Sequence, residues 1–196
     1  MSNNAANINT GKPKAGAYMW AAPLSTSNLT IPTDATTALG SGFTCLGYVS
    51  QDGVTQSIDK NSSDVIDWHG DAVDAIDGTR AESSSFTLIE TNPASLKQYY
   101  GEANVITDQT TGAITQVKHN SNSNEMYCYV WETVLKNGVI RRTVVPKAKV
   151  TDIGDIQYKS DDIIAYQLTI KHFPADSDGN TAFDYYGTPS SNSNQN

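Results

Sequence analysis

Three histidines, two cysteines and a run of aspartates are the residues of this chain with chemistry to offer. His69, His119 and His172 are far apart, and none stands at a spacing from Cys, Asp or Glu that would preorganise a metal ion, so solvated or structural roles are expected. Cys45 and Cys128 each lie among apolar or aromatic neighbours, which reads as two buried free thiols rather than a disulfide or a metal site. Asp176-Ser177-Asp178-Gly179-Asn180 sets alternate carboxylates around a glycine as a calcium loop does, but the later bidentate Glu and a third ligand position are missing. A hairpin turn is the expected role. No serine lies in Gly-x-Ser-x-Gly, and there is neither a P-loop nor a Gly-x-Gly-x-x-Gly after a strand. Asp161 and Asp162 are paired carboxylates of the kind many acidic surfaces carry. The expectation is a chain that is not an enzyme and uses no metal or cofactor.

Charge is the stronger signal. Asp59, Asp64, Asp67, Asp71, Asp74 and Asp77 fall in one short segment against a single lysine, Lys60. Such a segment is either an exposed, solvating loop or a functional lining. Arg141 and Arg142, with Lys136, Lys147 and Lys149, make the main basic cluster, read as a hairpin's solvated face or a subunit contact in preference to a phosphate site. The formal charge of −8 and a pI near 4.7 argue against gripping a phosphate backbone.

The elements that must position these residues are mostly strands. The 196 residues suit one domain. Residues 1–16 read as a flexible N-terminal arm and 187–196 as a disordered tail, because both are small and polar. The domain between them, 17–186, carries a long acidic loop over about 50–78. Strands are expected at Tyr18–Ala22, at Phe43–Val49 (buried), at Ser83–Glu90 with Phe86 and Leu88 on the apolar face, and at Ile163–Phe173 with Ile164, Tyr166, Leu168 and Ile170 inward. Lys136-Asn137-Gly138 reads as a hairpin turn between Met126–Leu135 and Val139–Val145, with both Asn and Gly tolerating positive φ and with Tyr127, Tyr129 and Trp131 sharing a face. A last strand follows at Phe183-Asp184-Tyr185-Tyr186. One helix is expected over Pro93–Tyr100, capped by Asn92, opened by Pro93, closed by Gly101, and facing the sheet with Leu96, Tyr99 and Tyr100. The fold class is mainly β: a β-sandwich or barrel-like pair of antiparallel sheets flanked by one short α-helix. No apolar window approaches the length of a membrane span and the N-terminus has no signal-peptide core, so synthesis in the cytoplasm without membrane insertion is expected.

Five blocks carry a resemblance: Gly47-Tyr-Val-Ser-x-Asp-Gly-Val54, Trp68-x-Gly-Asp71, Phe86-Thr-Leu-Ile-Glu90, Tyr100-Gly-Glu-x-Asn-Val105, and Val145-Pro-Lys-Ala-Lys-Val-Thr-x-Ile-Gly-Asp155. In order and spacing, over roughly residues 43–186, they resemble the major tail tube proteins of long, non-contractile bacteriophage tails. The resemblance implies a structural virion protein whose rings, commonly of six subunits, stack into a tube through which genomic DNA is ejected without specific binding. It implies four strands per subunit in a continuous inner barrel, and tape-measure, tail-tip and tail-terminator proteins as partners. Twenty-four strands about 4.8 Å apart and tilted about 45° give a backbone diameter of roughly 50 Å and a bore of about 40 Å. A DNA duplex passes through such a bore. On this reading some of the six aspartates face the bore or its rim, and the 50–78 segment is mobile until neighbours order it. The competing reading is a monomeric carbohydrate-binding β-sandwich that uses Trp20, Trp68 or Trp131 as stacking platforms.

Overall fold

The computed structural model describes residues 3–16, 19–121 and 124–188. Its elements are β1 (Lys12–Pro13), β2 (Met19–Pro23), β3 (Thr44–Cys45), β4 (Val49–Ile66), β5 (Ala72–Leu88), α1 (Pro93–Tyr100), β6 (Val105–Thr107), β7 (Ile114–Val117), β8 (Tyr127–Val134), β9 (Ile140–Ile153), β10 (Tyr166–His172) and β11 (Phe183–Gly187). Nine strands join in the order β3-β2-β8-β9-β10-β5-β4, with β1 added to β8 and β11 to β9, while β6 and β7 form a separate hairpin. Every pairing is antiparallel. Tyr18 and the residues after Thr188 lie outside the described set.

The sheet becomes two layers at β9. Its first half, from Ile140 to Val144, pairs with β8 and β11, and its second half, from Ala148 to Ile153, pairs with β10. Pro146 stands between the halves, where the register against β8 slips. Proline has no N–H to give a ladder, so it belongs at a bulge, and a bulge bends its strand. One layer is then β2, β8, the first half of β9 and β11; the other is the second half of β9, β10, β5 and β4. Met19, Tyr127, Tyr129, Trp131 and Val145 of the first layer meet Phe86, Leu88, Val150, Leu168 and Ile170 of the second in one core. The Phe86 and Tyr129 rings lie 6.2 Å apart across it. The outer side of the first layer is covered as well, since Cys128, Val130 and Val144 pack under Leu24, Leu29, Leu39 and Phe43.

Helix α1 spans the residues its capping signals indicate. The Asn92 side chain accepts from the Ser95 N–H at 2.8 Å, Pro93 opens the helix, and Gly101 closes it at φ 98° and ψ 147°. That conformation is extended with positive φ, outside the left-handed helical well, and is open to glycine. Leu96 is buried, Tyr99 and Tyr100 pack against the core, and the Tyr99 ring meets Tyr166 edge-on at 5.6 Å.

Five expectations are corrected. The Phe43–Val49 strand shrinks to Thr44–Cys45, because Gly47 breaks it at φ 91°. That leaves Cys45 exposed while Cys128 is buried, with burial pushing the Cys128 thiol up to about 12. The acidic 50–78 segment is no loop: it is β4, a turn and the first part of β5. In the Leu135–Val139 turn only Gly138 takes positive φ, at 79°, with its N–H donating to Leu135 O at 2.9 Å; this is a type I turn closed by a left-handed glycine. Finally, Arg142 does not face solvent. Its Nε donates to Glu132 Oε1 at 2.7 Å and its Nη1 to the Asp34 and Thr37 carbonyls, both at 2.8 Å. The other Glu132 oxygen meets Lys14 Nζ at 2.9 Å. The guanidinium thus pins the covering segment to the sheet, and it does so with both partners nearly fully buried.

Of the N-terminal arm, Lys12 and Pro13 pair with the end of β8, and Asn9 accepts from the Lys136 N–H at 3.2 Å. The helix is the only α-helix among the described residues, and it is not long or apolar enough to cross a membrane.

Arg142→Ala leaves Glu132 buried beside Lys14 alone, and urea unfolding is expected to show a loss of about 3–5 kcal/mol; a loss below about 1 kcal/mol would contradict the pinning role. A chromogenic disulfide reagent is expected to titrate one thiol per native chain and two after denaturation, because only Cys45 is accessible; rapid reaction of both in the native protein would overturn the burial of Cys128.

Candidate assembly interface

β10 pairs with β5 only from Ser83 to Leu88. Beyond that point β4 and β5 run on as a two-stranded arm, Ile58 to Ile66 against Ala72 to Glu82. β-Branched Val, Ile and Thr are interspersed with polar residues along it, and cross-strand pairing makes strands of what composition alone presents as a loop. Asp67 builds the tip: its Oδ1 accepts the N–H groups of His69 at 2.8 Å and Asp71 at 2.9 Å, and Gly70 turns the chain at φ 92°. Trp68 stands at this tip fully exposed, and Ile58, Ile66, Val73 and Ile76 are each more than half exposed. A two-stranded ribbon is marginal in water by itself, and this one displays its largest apolar side chains to solvent.

The six aspartates do not come together. Directly opposed residues of an antiparallel pair share a face. Asp59, opposite Ala81, and Asp74, opposite Val65, lie on one face of the arm; Asp64, opposite Ala75, and Asp77, opposite Ser62, lie on the other. Asp67 and Asp71 belong to the turn. Lys60 Nζ reaches Asp77 at 2.8 Å. Dividing the charges between two faces and a tip is how the segment folds despite its net charge.

At the root of the arm sits Glu82, buried. Burial works against its charge, but hydrogen bonds from Thr181 and Gln56, with His172 and Arg80 nearby, hold the carboxyl below its ordinary range. His172 Nδ1 lies 3.9 Å from Glu82 Oε2, and its Nε2 is 3.0 Å from the Ser84 hydroxyl. Burial lowers the imidazole pKa, more than Glu82 raises it. Serine, histidine and glutamate therefore stand in the order of a hydrolytic triad, an arrangement no sequence spacing revealed because 88 residues separate Ser84 from His172. Ser84 is 1% exposed, so no substrate reaches it, and the row joins the arm to β10.

The basic cluster disperses. Arg142 is in the interior, Arg141 pairs with Asp184 at 2.6 Å, and Lys147 and Lys149 are half-exposed on β9 past Pro146. The tryptophans form no platform either: Trp131 is in the core, Trp20 packs under the covering segment, and Trp68 is alone at the tip. Asp176 makes the expected turn, accepting from the Asp178 and Asn180 N–H groups at 3.1 and 2.9 Å. Among the described residues no three His, Cys, Asp or Glu side chains converge as metal ligands.

What remains as a surface built for contact is the second layer: an apolar-tipped arm, and two open strand edges. The outer edge of β4 has no described partner, and β9 has none beyond Ala148 on the edge that β8 leaves. The sequence points to the arm's charge but not to its edges, which arise from pairings between strands distant along the chain.

Compared with known proteins, the chain resembles in fold the tube-terminating cap of the anti-feeding prophage, at 12% identity over 95% of this chain and 100% of that one, with a TM-score of 0.44. It also resembles a chain of the tail of an empty gene transfer agent particle, at 13% identity over 66% and 81% of the two chains (TM-score 0.38). A chain of the native gene transfer agent virion matches at 12% identity over 76% and 92% (TM-score 0.39). No curated protein sequence matches it. The family model described as phage tail tube protein matches residues 1–189, and this chain belongs to the phage tail tube protein family.

Proposed function

We propose that this chain assembles into rings, six subunits to a ring, that stack into the tube through which a bacteriophage ejects its genomic DNA. The observation that carries the reading is the pair of open edges. Strands β4, β5, β10 and the second half of β9 alternate in direction, so the open edge of β9 on one copy is antiparallel to the open edge of β4 on the next. An even number of alternating strands lets identical copies join head to tail and close into a ring without a parallel mismatch. Closure removes the unpaired edges that a lone subunit presents to every neighbour.

The arm then serves stacking. It extends past the four-stranded unit along the strand direction, which in a barrel is tilted from the tube axis, and its exposed Ile66, Trp68 and Val73 supply the apolar area that a neighbouring subunit covers. Asp59 and Asp74 continue the outer face of the sheet and fall at the rim of the bore, while Asp64 and Asp77 turn the other way. The tail-tip, tape-measure and tail-terminator proteins are the partners at the ends and in the lumen. The protein acts as a virion component without catalysis.

Negative-stain electron microscopy of the concentrated protein, with light scattering on the same sample, is expected to show rings or hollow tubes; a strictly monomeric protein at every concentration, even with tail tips added as initiator, would overturn the reading. The double variant Ile66→Ser and Trp68→Ser is expected to unfold within about 0.5 kcal/mol of the parent, since both side chains are exposed, yet to fail to form tubes; normal tubes would remove the arm from the contact.

A further inference from the structure

A cavity of about 600 Å³ lies between the two layers, bounded by the β4 segment from Val49 to Gln56, the end of β8 and the N-terminal stretch from Asn9 to Pro13. Val49, Val54, Trp131, Leu135 and Pro13 give it an apolar lining, and water against apolar walls has few partners. Ser50 and Arg141 line it too, and the buried Ser50 Oγ and Arg141 Nε have no hydrogen-bond partner among the described residues. A buried donor left unmet costs stability, which an acceptor entering the cavity would restore.

The rim is basic. Lys12 and Lys136 are exposed next to the lining residues Pro13 and Leu135. Glu132, the only carboxylate among the described lining residues, is already held by Arg142 and Lys14, and Asp184 holds Arg141 through Nη2, leaving Nε free. The tip of the arm has the opposite character. Trp68 is fully exposed there, with Asp67 and Asp71 on either side, and an inserted indole can bury up to about 250 Å².

The tip does not reach the cavity of its own subunit. Ile66 lies about 40 Å along β4 from Val54, at about 3.3 Å per residue, and the ladder to β5 keeps the ribbon extended. Resting on the tube reading, we propose that this cavity receives Trp68 from the arm of a second copy, in the adjoining ring, with Asp71 of that copy set against Lys12, Lys136 and Arg141 Nε. Apolar ring, apolar lining, acidic tip, basic rim and unmet donor then answer one another. Tip and cavity are different surfaces, so the contact is heterologous and repeats from copy to copy without closing. It leaves empty cavities at one end of a tube and free tips at the other, and the two ends therefore offer different surfaces to the proteins that terminate them.

The test combines His69→Cys, beside Trp68, with Gln51→Cys on the cavity wall, in a Cys45→Ser background. Tubes of this variant are mildly oxidised, dissolved in denaturant and separated without reductant. The expected result is a ladder of trimers and longer chains, with no ladder from the dispersed protein and no more than dimers from either cysteine alone, because a disulfide needs Cα atoms within about 7 Å. Tubes without the ladder would overturn the assignment of the cavity and leave the tube reading standing; failure of the parent protein to form tubes would overturn the tube reading beneath it. Tryptophan emission of the parent gives a second readout that needs no substitution. Trp131 is buried and Trp20 packs under the covering segment, so a shift to shorter wavelength on assembly is expected from Trp68, and unchanged emission in intact tubes would overturn its insertion.

Discussion

The fold turns on a proline that has no hydrogen to donate. Pro146 sits in the longest stretch of the central strand β9, and the bulge around it ends one set of pairings and begins another. A straight β9 would carry β10 and β11 in one flat sheet, open to water on both sides. The bulge lets the first half of the strand join β8 and β11 and the second half join β10, so that the two layers face each other over Tyr129, Phe86 and Leu168. The two open edges of the second layer are consequences of that division.

The rest of the interior works to hold the layers in place. Arg142 gathers Glu132 and two carbonyls of the 34–37 segment, and thereby fastens a covering layer that has no strand of its own there. Asp34 shapes that segment by accepting from the backbone N–H of Thr37, and also of Thr36, which keeps its carboxyl far below the ordinary range. Helix α1 closes the core at the end of β5, where Ser95 donates to the Leu46 carbonyl at 2.8 Å and Tyr129 donates to Gln98 at 2.5 Å. Glu82, His172 and Ser84 join the base of the arm to β10. Of these contacts, the row at Glu82 lies within the layer that carries the open edges, and those of Arg142 hold the cover on the other layer.

How much of this was legible in the residues depended on whether the signal was local. The helix was readable to the residue because Asn92, Pro93 and Gly101 act within one turn. The apolar faces of β5 and β10 were readable from alternation, and the family resemblance pointed to a tube. The acidic segment was misread because charge density and low hydrophobicity look the same in a loop and in a ribbon whose charges alternate between faces; only the pairing of Asp59 with Ala81 and Asp64 with Ala75 separates them. Arg142 looked like half of a basic pair because its partner Glu132 lies across a hairpin and its other acceptors are backbone carbonyls.

The central claim is that β4 ends the sheet in a subunit and is paired in a tube. Amide hydrogen exchange reads this directly, by comparing the β4 segment from Val54 to Ile58 in the dispersed and the assembled protein. Alternate amides of this edge strand point away from β5, and they are predicted to exchange freely in the subunit and to become strongly protected on assembly, together with the stretch of β9 beyond Ala148. Unchanged exchange at both edges in intact tubes would contradict the account.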